Sequence, residues 1–299
     1  SFEAAILGAY YAKELRDALQ ENRLGDSAKQ KLASDINVAL MNVASAQGTL
    51  FVKRTAAASG FDDVAQAEAI FNEQGVPSYD RYLALSTRDY NGMASNLAGR
   101  QNVTDLPKEA YRRAYVGMIA SFDTYKLDYA NRVAAAGGAG LTIDTRDVAV
   151  NYYIPQATSA SVGGKINVDN RYQTVTVSST ASVAAGDAFT IAAVNAVHHI
   201  TKQDTGQLKT FRVISVTNGT TMVISPPIIS NQVANDASAQ YQNCVVNTKS
   251  ATSAIVFLNT VAGYANPFWQ RDALEILPGR YAVPSDAGTA VMRASTDQG

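Results

Sequence analysis

The first residues to test for chemistry are the two histidines, which stand side by side as His198 and His199. They fall in a segment with strand character, where adjacent side chains point to opposite faces. Two imidazoles on opposite faces are not expected to bind one ion. The nearest acidic residue is Asp204, and no Cys, Asp or Glu stands at ligand spacing. The sequence therefore predicts no metal site at this pair.

Two further features were weighed as sites of nucleophilic or phosphate chemistry. Cys244 is the single cysteine and has no charged residue close in sequence to activate it, so a buried, inert thiol is expected. The segment Gly137–Gly140 is glycine-rich, but it lacks the preceding strand, the following helix and the lysine of a phosphate-binding loop. We interpret it as a flexible hinge. The sequence thus predicts no catalytic, cofactor-binding or metal-binding residues, no cofactor, and a protein that is not an enzyme.

Composition narrows the classes of function further. The 299 residues include 25 Lys and Arg against 26 Asp and Glu, and this net charge of -1 gives no electrostatic reason to expect nucleic-acid binding. One cysteine excludes internal disulfides and fits a reducing compartment. The sequence has no apolar run of 18 residues and no signal peptide. Because it starts at Ser1 without Met and ends in a polar tail, we expect a fragment cut at both ends.

The chain is organised around a block of alternating β-type sequence, Lys165–Ser225, which lies between two helical, alanine-rich regions. Alternation of apolar and polar residues is typical of half-buried strands. Asn218-Gly219 is a strong hairpin signal, and Pro226-Pro227 marks the end of the last strand. The predicted strands are Thr174–Val177, Phe189–Ile191, Phe211–Val216 and Thr220–Ile224. We interpret this block as a self-contained β-module.

The sequence on either side predicts a mixed helical and β host. A helix from Asp26 or Ser27 to about Val52 would span roughly 40 Å. The other expected elements are a helix started by an Asp63–Gln66 capping box and ending at Gln74, a strand Tyr79–Leu85, a helix from Ser86 through Leu97, a helix Lys108–Ile119 and a strand Phe122–Leu127. Apolar sequence resumes at Thr252–Leu258 and Asn266–Leu277, after the β-module. The module is therefore predicted to be inserted into the host.

Charged and aromatic pairs could serve subunit contacts. Four acid–base or basic clusters are expected to be solvated or to form ion pairs between subunits: Asp80-Arg81, Arg88-Asp89, Arg112-Arg113 and Arg271-Asp272. The 15 tyrosines include the pairs Tyr10-Tyr11 and Tyr152-Tyr153. Tyrosine suits both interfaces and core edges, and the sequence leaves these two interpretations open.

The order and residue sequence of these segments resemble the coat (major capsid) protein family of the short-tailed Salmonella phages, which are lambdoid podoviruses. The best match is Lys165–Gly186 with Asp187, especially the motif Asn167–Arg171, and it continues through Phe211–Ser225. Further matches are Glu109–Arg112 with Phe122-Asp123, Asn266–Trp269 with Asp272-Ala273, and Asp26–Val52, which is similar to the family's long spine helix. The resemblance covers nearly the whole chain.

The resemblance implies an α+β tailed-phage major capsid protein fold with a long spine helix, an axial α+β domain and an inserted antiparallel β-barrel. It implies four regions: residues 1–59 as part of a peripheral domain with the spine helix at about 26–52; residues 60–136 and 250–285 as a discontinuous axial domain; residues 137–249 as the inserted barrel; and residues 286–299 as the start of a returning peripheral segment. A loop in Pro155–Lys165 would reach a neighbouring capsomer, although it is short and has no acidic cluster.

The function implied is that of a structural subunit that self-assembles into the icosahedral shell of a tailed double-stranded DNA phage. Its partners would be other coat subunits in hexamers and pentamers, scaffolding protein and the portal, with no sequence-specific nucleic acid and no membrane. It would be made in the host bacterial cytoplasm and reside in the virion, and the present fragment is expected to be monomeric.

Two alternative functions stand beside this one. A β-barrel adhesin or carbohydrate-binding module would need clustered exposed aromatics, whereas Tyr172, Phe189 and Phe211 fit core alternation. A hydrolase would need a nucleophile–base pair, and none is visible in the sequence.

Overall fold

A computed structural model describes residues 18–54, 56, 60–99, 116–129, 131–143, 160–161, 164–165, 171–230, 241–247 and 252–277. The chain divides into two compact units, one of Ser1–Leu40 with Asp272–Gly299 and one of Met41–Arg271. The second unit holds both hydrophobic cores of the described chain. None of the helices in the described ranges is both long and apolar enough to cross a membrane.

Helix α1, Ala18–Gln47, is the predicted long helix shifted toward the N-terminus. It continues across Gly25, where the sequence suggested a stop, and it ends five residues before the expected Val52. The end is set at Gly48, whose N–H still donates to Ala44 O at 3.0 Å. The residues that follow, 48–54, are neither helix nor strand, and Thr49 is a bend.

The host around α1 contains two helices and a four-stranded sheet. The helices are α2, Phe61–Gln74, and α3, Thr87–Ala98. The strands lie in the order β14-β1-β3-β2, in which β1 and β3 are parallel and the other pairs antiparallel. They are β1, Arg81–Ser86; β2, Met118–Ile119; β3, Phe122–Leu127; and β14, Phe268–Gln270. One face of the sheet packs on both helices to form the host core, which includes Val64, Phe71, Leu83, Leu85, Met93 and Phe122.

The starts of α2 and α3 test two sequence signals. Helix α2 begins two residues before the predicted capping box, because the Asp63 carboxylate accepts from the Gly60 N–H at 3.2 Å and thereby closes an earlier first turn. Helix α3 starts as predicted, since Ser86 Oγ accepts from the Asp89 N–H at 3.2 Å. The predicted helix Lys108–Ile119 is wrong at its C-terminal end, where Met118–Ile119 is strand β2. Its first eight residues lie outside the described ranges.

The predicted β-module is present as an antiparallel barrel. Its strands are β7, Gln173–Thr176; β8, Ala188–Val197; β9, Asp204–Asn218; β10, Thr221–Ser225; β11, Cys244–Val246; and β12, Ile255–Phe257. The main path is β11-β8-β9-β10-β7, and β12 also pairs with β8. Thr142 bridges Ala254 and Ile143 bridges Val177, so the segment before the module joins β12 to the end of β7. This joining closes the barrel, which we call the β-domain.

Alternation along the strands fills the barrel as the sequence predicts. Phe189 and Phe211 are fully buried and their rings lie 5.6 Å apart, so both are core residues as expected. The predicted hairpin at Asn218-Gly219 joins β9 to β10. Tyr172 differs, because it is only partly buried and its ring is covered by the Arg171 guanidinium at 5.4 Å.

Two small antiparallel pairs complete the described strands. Strand β4, Arg132–Val133, pairs with β13, Gly263–Tyr264, next to the entry and exit of the β-domain. Strand β5, Ala160–Ser161, pairs with β6, Gly164–Lys165. This second pair falls within Pro155–Lys165, the loop expected to reach a neighbouring capsomer, and the rest of that loop lies outside the described residues.

The glycine-rich segment Gly137–Gly140 was predicted to be a flexible hinge, but its first half is tightly packed. A Cβ on Gly137 would lie 2.8 Å from Ser182 O, and a Cβ on Gly138 would lie 2.7 Å from a ring carbon of Phe257. These glycines let the backbone approach the barrel closely, which a side chain would prevent. The hinge interpretation is therefore wrong for Gly137 and Gly138.

Candidate functional site

The candidate site is the place where the β-domain meets the end of helix α1, and its central residue is Arg212 on strand β9. The guanidinium donates to Gly48 O at 2.7 Å, to Ser45 O at 2.7 Å and to Gly186 O at 2.5 Å. It also lies 5.0 Å from the centre of the Phe51 ring. One side chain thus binds the last turn of α1, the residue after it and a loop of the barrel. We call this arrangement the α1 joint.

Strand geometry explains why Arg212 reaches α1. Its neighbours Phe211 and Val213 are fully buried in the barrel core, so Arg212 and Thr210 point outward from the barrel. Thr210 Oγ1 donates to Thr49 O at 2.6 Å and adds a second bond beside the guanidinium. The last carbonyls of a helix have no partner within the helix and carry its negative pole. A cation with several N–H donors is suited to both properties.

The charge of Arg212 is buried, and among the described residues no carboxylate forms an ion pair with it. Arg212 is 4% exposed. Burial lowers the pKa of its guanidinium to about 10, and the nearby carboxylate of Asp187 raises that pKa in part. The guanidinium is therefore still charged at neutral pH. Asp187 is occupied elsewhere, since its carboxylate accepts from the Ala184 N–H at 2.9 Å and from Asn259 Nδ2 at 2.9 Å.

Asn259 ties together the chain segments that enter and leave the β-domain. Its Nδ2 also donates to Ala134 O at 3.1 Å, and its main-chain oxygen accepts from the Ala136 N–H at 2.8 Å. Its Oδ1 accepts from the Ala188 N–H at 3.0 Å. The entry segment, the exit segment and the start of β8 are therefore held by one amide side chain beside the α1 joint.

The barrel interior contains a second buried cation, Lys209. The residue is 8% exposed, and among the described residues none forms a hydrogen bond or ion pair with its ammonium group. Burial lowers the pKa of Lys209, and the nearby Cys244 acts in the opposite direction. Cys244 itself is fully buried, as predicted, and burial raises the pKa of its thiol to about 12, against which Lys209 and the Ile229 backbone act. The thiol is thus protonated at neutral pH, in agreement with the expectation that it is inert.

The host has a buried cation of its own, which sequence reasoning assigned to a solvated or intersubunit cluster. Arg81 is 1% exposed and donates to Pro77 O at 2.8 Å, Val76 O at 2.7 Å, Asn72 Oδ1 at 2.8 Å and Ser121 Oγ at 3.2 Å. It fixes the segment after α2 against strand β1. Expectation and structure differ because Arg81 is the first residue of β1 and shares the face of the core residue Leu83, whereas the exposed Asp80 precedes the strand.

Asp89, from another of these clusters, is also buried. It accepts from Ser86 Oγ at 2.8 Å and from Asn266 Nδ2 at 2.8 Å, which joins the start of α3 to the chain returning from the β-domain. Arg271 fits the expectation better, since its exposed side chain lies 3.6 Å from the Asp80 carboxylate. The pair Arg112-Arg113 lies outside the described residues.

With the geometry in place, comparison with known proteins identifies the family. A family model described as "P22 coat protein - gene protein 5" matches residues 4–299. The chain belongs to this coat protein family. Among solved structures, the CUS-3 coat protein I-domain is similar, with 40% sequence identity over 41% of this chain and 99% of that chain and a TM-score of 0.30.

Family membership confirms the resemblance drawn from the sequence. The coat protein is a structural, non-enzymatic capsid subunit of a bacteriophage, a component of the virion that interacts with other coat subunits. Its fold is the α+β tailed-phage capsid fold with an insertion domain. The alternative of an adhesin or carbohydrate-binding module is not favoured.

A coat protein must also present surfaces to other subunits, and one face of the host sheet carries three aromatic rings, of which Tyr125 is exposed and Tyr82 and Trp269 are half-buried. Trp269 and Tyr82 are register partners on β14 and β1, with ring centres 6.0 Å apart. The ring of Tyr125 on β3 lies 6.1 Å from that of Tyr82, and Tyr125 is 55% exposed. These three rings, which we call the aromatic face, lie on the side of the sheet opposite to the core residues Leu83 and Phe122. Tyr10-Tyr11 and Tyr152-Tyr153 lie outside the described residues.

The two histidines are placed differently from the sequence expectation. They follow the end of β8 in a turn, and their rings stack with centres 5.6 Å apart at an angle of 13°. A turn does not separate adjacent side chains as a strand does, so both rings face the same way. In the described ranges no group of three or more His, Cys, Asp and Glu is placed to hold a metal ion.

Sequence reasoning missed Arg212 and Asn259. Arg212 is a lone charge in the apolar stretch from Phe211 to Ile214, and on an outward-facing strand position it reads as a solvated residue. Nothing in the local pattern indicates that a helix end would cover it. Asn259 sits between a strand and a turn, where Asn is ordinary.

Proposed function

We propose that the chain self-assembles through hexamers and pentamers into the icosahedral procapsid and capsid of a tailed double-stranded DNA phage. The observation that carries this proposal is the family match over residues 4–299. Scaffolding protein and the portal are the further partners, and synthesis takes place in the host cytoplasm. The net charge of -1 supports packaging of DNA without sequence-specific contacts.

The experiment is a mass measurement by light scattering, followed by negative-stain electron microscopy, on the purified chain with and without scaffolding protein. Closed shells or capsomer rings are the result that the family match supports, in place of the monomer that the sequence alone predicts. A chain that stays monomeric in both samples, while its circular dichroism shows a folded α+β protein, would contradict the proposal.

We propose the following domain limits for this function. Residues 60–136 belong to the axial domain, and the inserted β-domain runs from 137 to about 258 instead of 249. The later limit is supported by the pairing of β12 with β8 and by Asn259 on the leaving segment, which binds Ala134 and Ala136 of the entering segment. Residues 1–59 and 286–299 remain assigned to the peripheral domain.

We also propose that the α1 joint makes the subunit rigid enough to assemble with a fixed geometry. Closed shells require heterologous contacts that repeat with constant angles, so the spine helix and the β-domain of each subunit must keep one arrangement. Directional hydrogen bonds from Arg212 to Ser45 and Gly48 support this role. Variants of Arg212 that remain folded should form aberrant or incomplete shells, whereas regular shells of such variants would contradict it.

The aromatic face is the proposed contact with a second coat subunit. Tyrosine and tryptophan are enriched at subunit interfaces, and the rim of this face carries both an acid and a base, Asp80 and Arg271, which a neighbouring copy can complement. The test is Tyr125→Ser against Tyr241→Ser, a control at a site with the same 55% exposure in the β-domain. Only the first variant should reduce assembly while leaving thermal unfolding of the monomer unchanged. Equal assembly of both variants would remove the aromatic face from the interface.

A further inference from the structure

A second contact between the β-domain and the host lies at the end of helix α2, away from the α1 joint. Gln74 O accepts from the His199 backbone N–H at 3.1 Å and contacts His199 Nδ1 at 2.8 Å. Because a carbonyl oxygen can only accept, Nδ1 carries the hydrogen of this bond. One exposed helix-end carbonyl is therefore bound twice by a single residue of the β-domain.

Gly75 is shaped for this contact. It ends α2 with φ +81°, and its N–H donates to Asn72 O at 3.1 Å while the next N–H, of Val76, donates to Phe71 O at 2.8 Å. A Cβ at Gly75 would lie 2.6 Å from His198 Nε2 and 2.8 Å from His199 Nδ1. Glycine is therefore required twice at this position, for the left-handed backbone and for the space that the two rings occupy.

The turn that carries the histidines is itself held in shape. His198 Nδ1 accepts from the N–H groups of Ile200 and Thr201 at 3.3 and 3.4 Å, and the His198 N–H donates to Gln203 O at 3.0 Å. The helix end is fixed from the other side, since Arg81 binds Val76 O at 2.7 Å. A rigid turn thus meets a rigid helix end.

We propose that His198, His199, Gln74 and Gly75 form a latch that, together with the α1 joint, fixes the orientation of the β-domain on the host. A body held at one place can rotate about that place, whereas a second attachment leaves only rotation about the line joining the two, which the paired strands β4 and β13 at the entry and exit oppose. The α2 latch is a separate device from the α1 joint, and its opening leaves the β-domain attached through Arg212. The proposal concerns the subunit itself and does not depend on whether shells form.

The test is hydrogen exchange, read by mass spectrometry, on the full chain and on His199→Ala and His199→Asn. The asparagine Nδ2 occupies nearly the position of the imidazole Nδ1 and can donate to the same carbonyl. Protection in residues 70–78 and 196–203 should fall about tenfold in His199→Ala, the effect of one ordinary hydrogen bond, and should return to within about threefold of wild type in His199→Asn. Protection around residues 44–52 should not change in either variant.

A merely local role of His199 predicts a different result, in which exchange rises in 196–203 but not in 70–78. That result, or equal behaviour of the Ala and Asn variants, would overturn the proposal.

The requirement for space at Gly75 has its own control. Gly75→Ala should lower the unfolding midpoint more than Gly140→Ala, because Gly140 has a similar φ of +68° and nothing within 4 Å of an added Cβ. In a His198→Ala/His199→Ala background the two glycine variants should become equivalent, and a persistent difference would contradict the latch.

Discussion

Arg212 is the residue whose replacement tests the α1 joint most directly. In Arg212→Met the aliphatic stem remains, but three carbonyl oxygens, those of Ser45, Gly48 and Gly186, lose a charged donor. A hydrogen bond to a charged group contributes about 1.5–3 kcal/mol, and desolvation of the guanidinium offsets part of the sum. We therefore expect the free energy of unfolding to fall by about 3–5 kcal/mol.

Two further variants make this magnitude interpretable. Arg212→Lys keeps the charge, but a single ammonium nitrogen cannot reach three carbonyls around a planar fork, so we expect a loss of about 2–3 kcal/mol. Arg271→Met removes an arginine whose side chain is 68% exposed and pairs with Asp80 at 3.6 Å, and it should cost less than about 1 kcal/mol. We expect the loss in free energy of unfolding to be largest for Arg212→Met, smaller for Arg212→Lys and smallest for Arg271→Met.

The assay is urea unfolding of the full chain, combined with hydrogen exchange to locate the change. Exchange should accelerate at the end of α1 and at residues 184–188, while the interior of the barrel keeps its protection. One contrary result is a free energy of unfolding of Arg212→Met within about 1 kcal/mol of that of Arg271→Met. Another is unchanged hydrogen exchange at the end of α1. Either result would show that the α1 joint does not hold the helix end.

Three other substitutions test separate parts of the β-domain. Lys209→Met replaces a buried amine, which has no partner among the described residues, by an apolar chain of similar shape. It should raise the free energy of unfolding at pH 7 by about 1–3 kcal/mol in urea unfolding, and a loss of stability would show that the amine has a partner. Gly138→Ala should cost about 1–3 kcal/mol through the clash with Phe257, whereas Gly263→Ala, in open space, should cost clearly less in the same assay. The pKa of the Cys244 thiol is about 12 in the folded chain and 9.0 in the unfolded chain. Because the unfolded chain loses this proton first, Cys244 lowers the stability of the fold as pH rises between these values. Relative to wild type, Cys244→Val should therefore gain about 1.4 kcal/mol per pH unit above pH 9, and a pH-independent difference between the two would refute this.

The elements of this fold are largely readable from the sequence because they depend on local patterns. Alternation predicts β7 to β10, Asn218-Gly219 predicts the β9–β10 hairpin, and Ser86 with Asp89 predicts the start of α3. These signals act over a few residues, so tertiary contacts do not easily override them. The family resemblance then supplies the fold class, since it rests on the order of many segments.

The contacts between domains are not readable, for a physical reason. Arg212 and His199 bind main-chain carbonyls at helix ends. Because every residue has a main-chain carbonyl, the sequence does not indicate which one a given side chain binds. The sequence predicts that Arg81 and Asp89 are solvated or form ion pairs between subunits, yet both bind backbone or capping groups inside the host. The end of α1 was likewise misplaced, because helical periodicity continues past Gly48 while the bonds that stop the helix come from strand β9.

The segment after α1 contacts both the host core and the outer surface of the β-domain. Leu50 and Val52 pack against the host core, and between them Phe51 lies under the Arg212 guanidinium of the β-domain. These contacts place the segment against both domains at once. Apolar contacts alone allow sliding, whereas the hydrogen bonds to Gly48 O and Thr49 O have fixed directions and lengths. We propose that a few directed bonds to main-chain oxygens fix the end of α1 against the inserted barrel, and that substitutions at these bonds separate folding of the subunit from regularity of the shell.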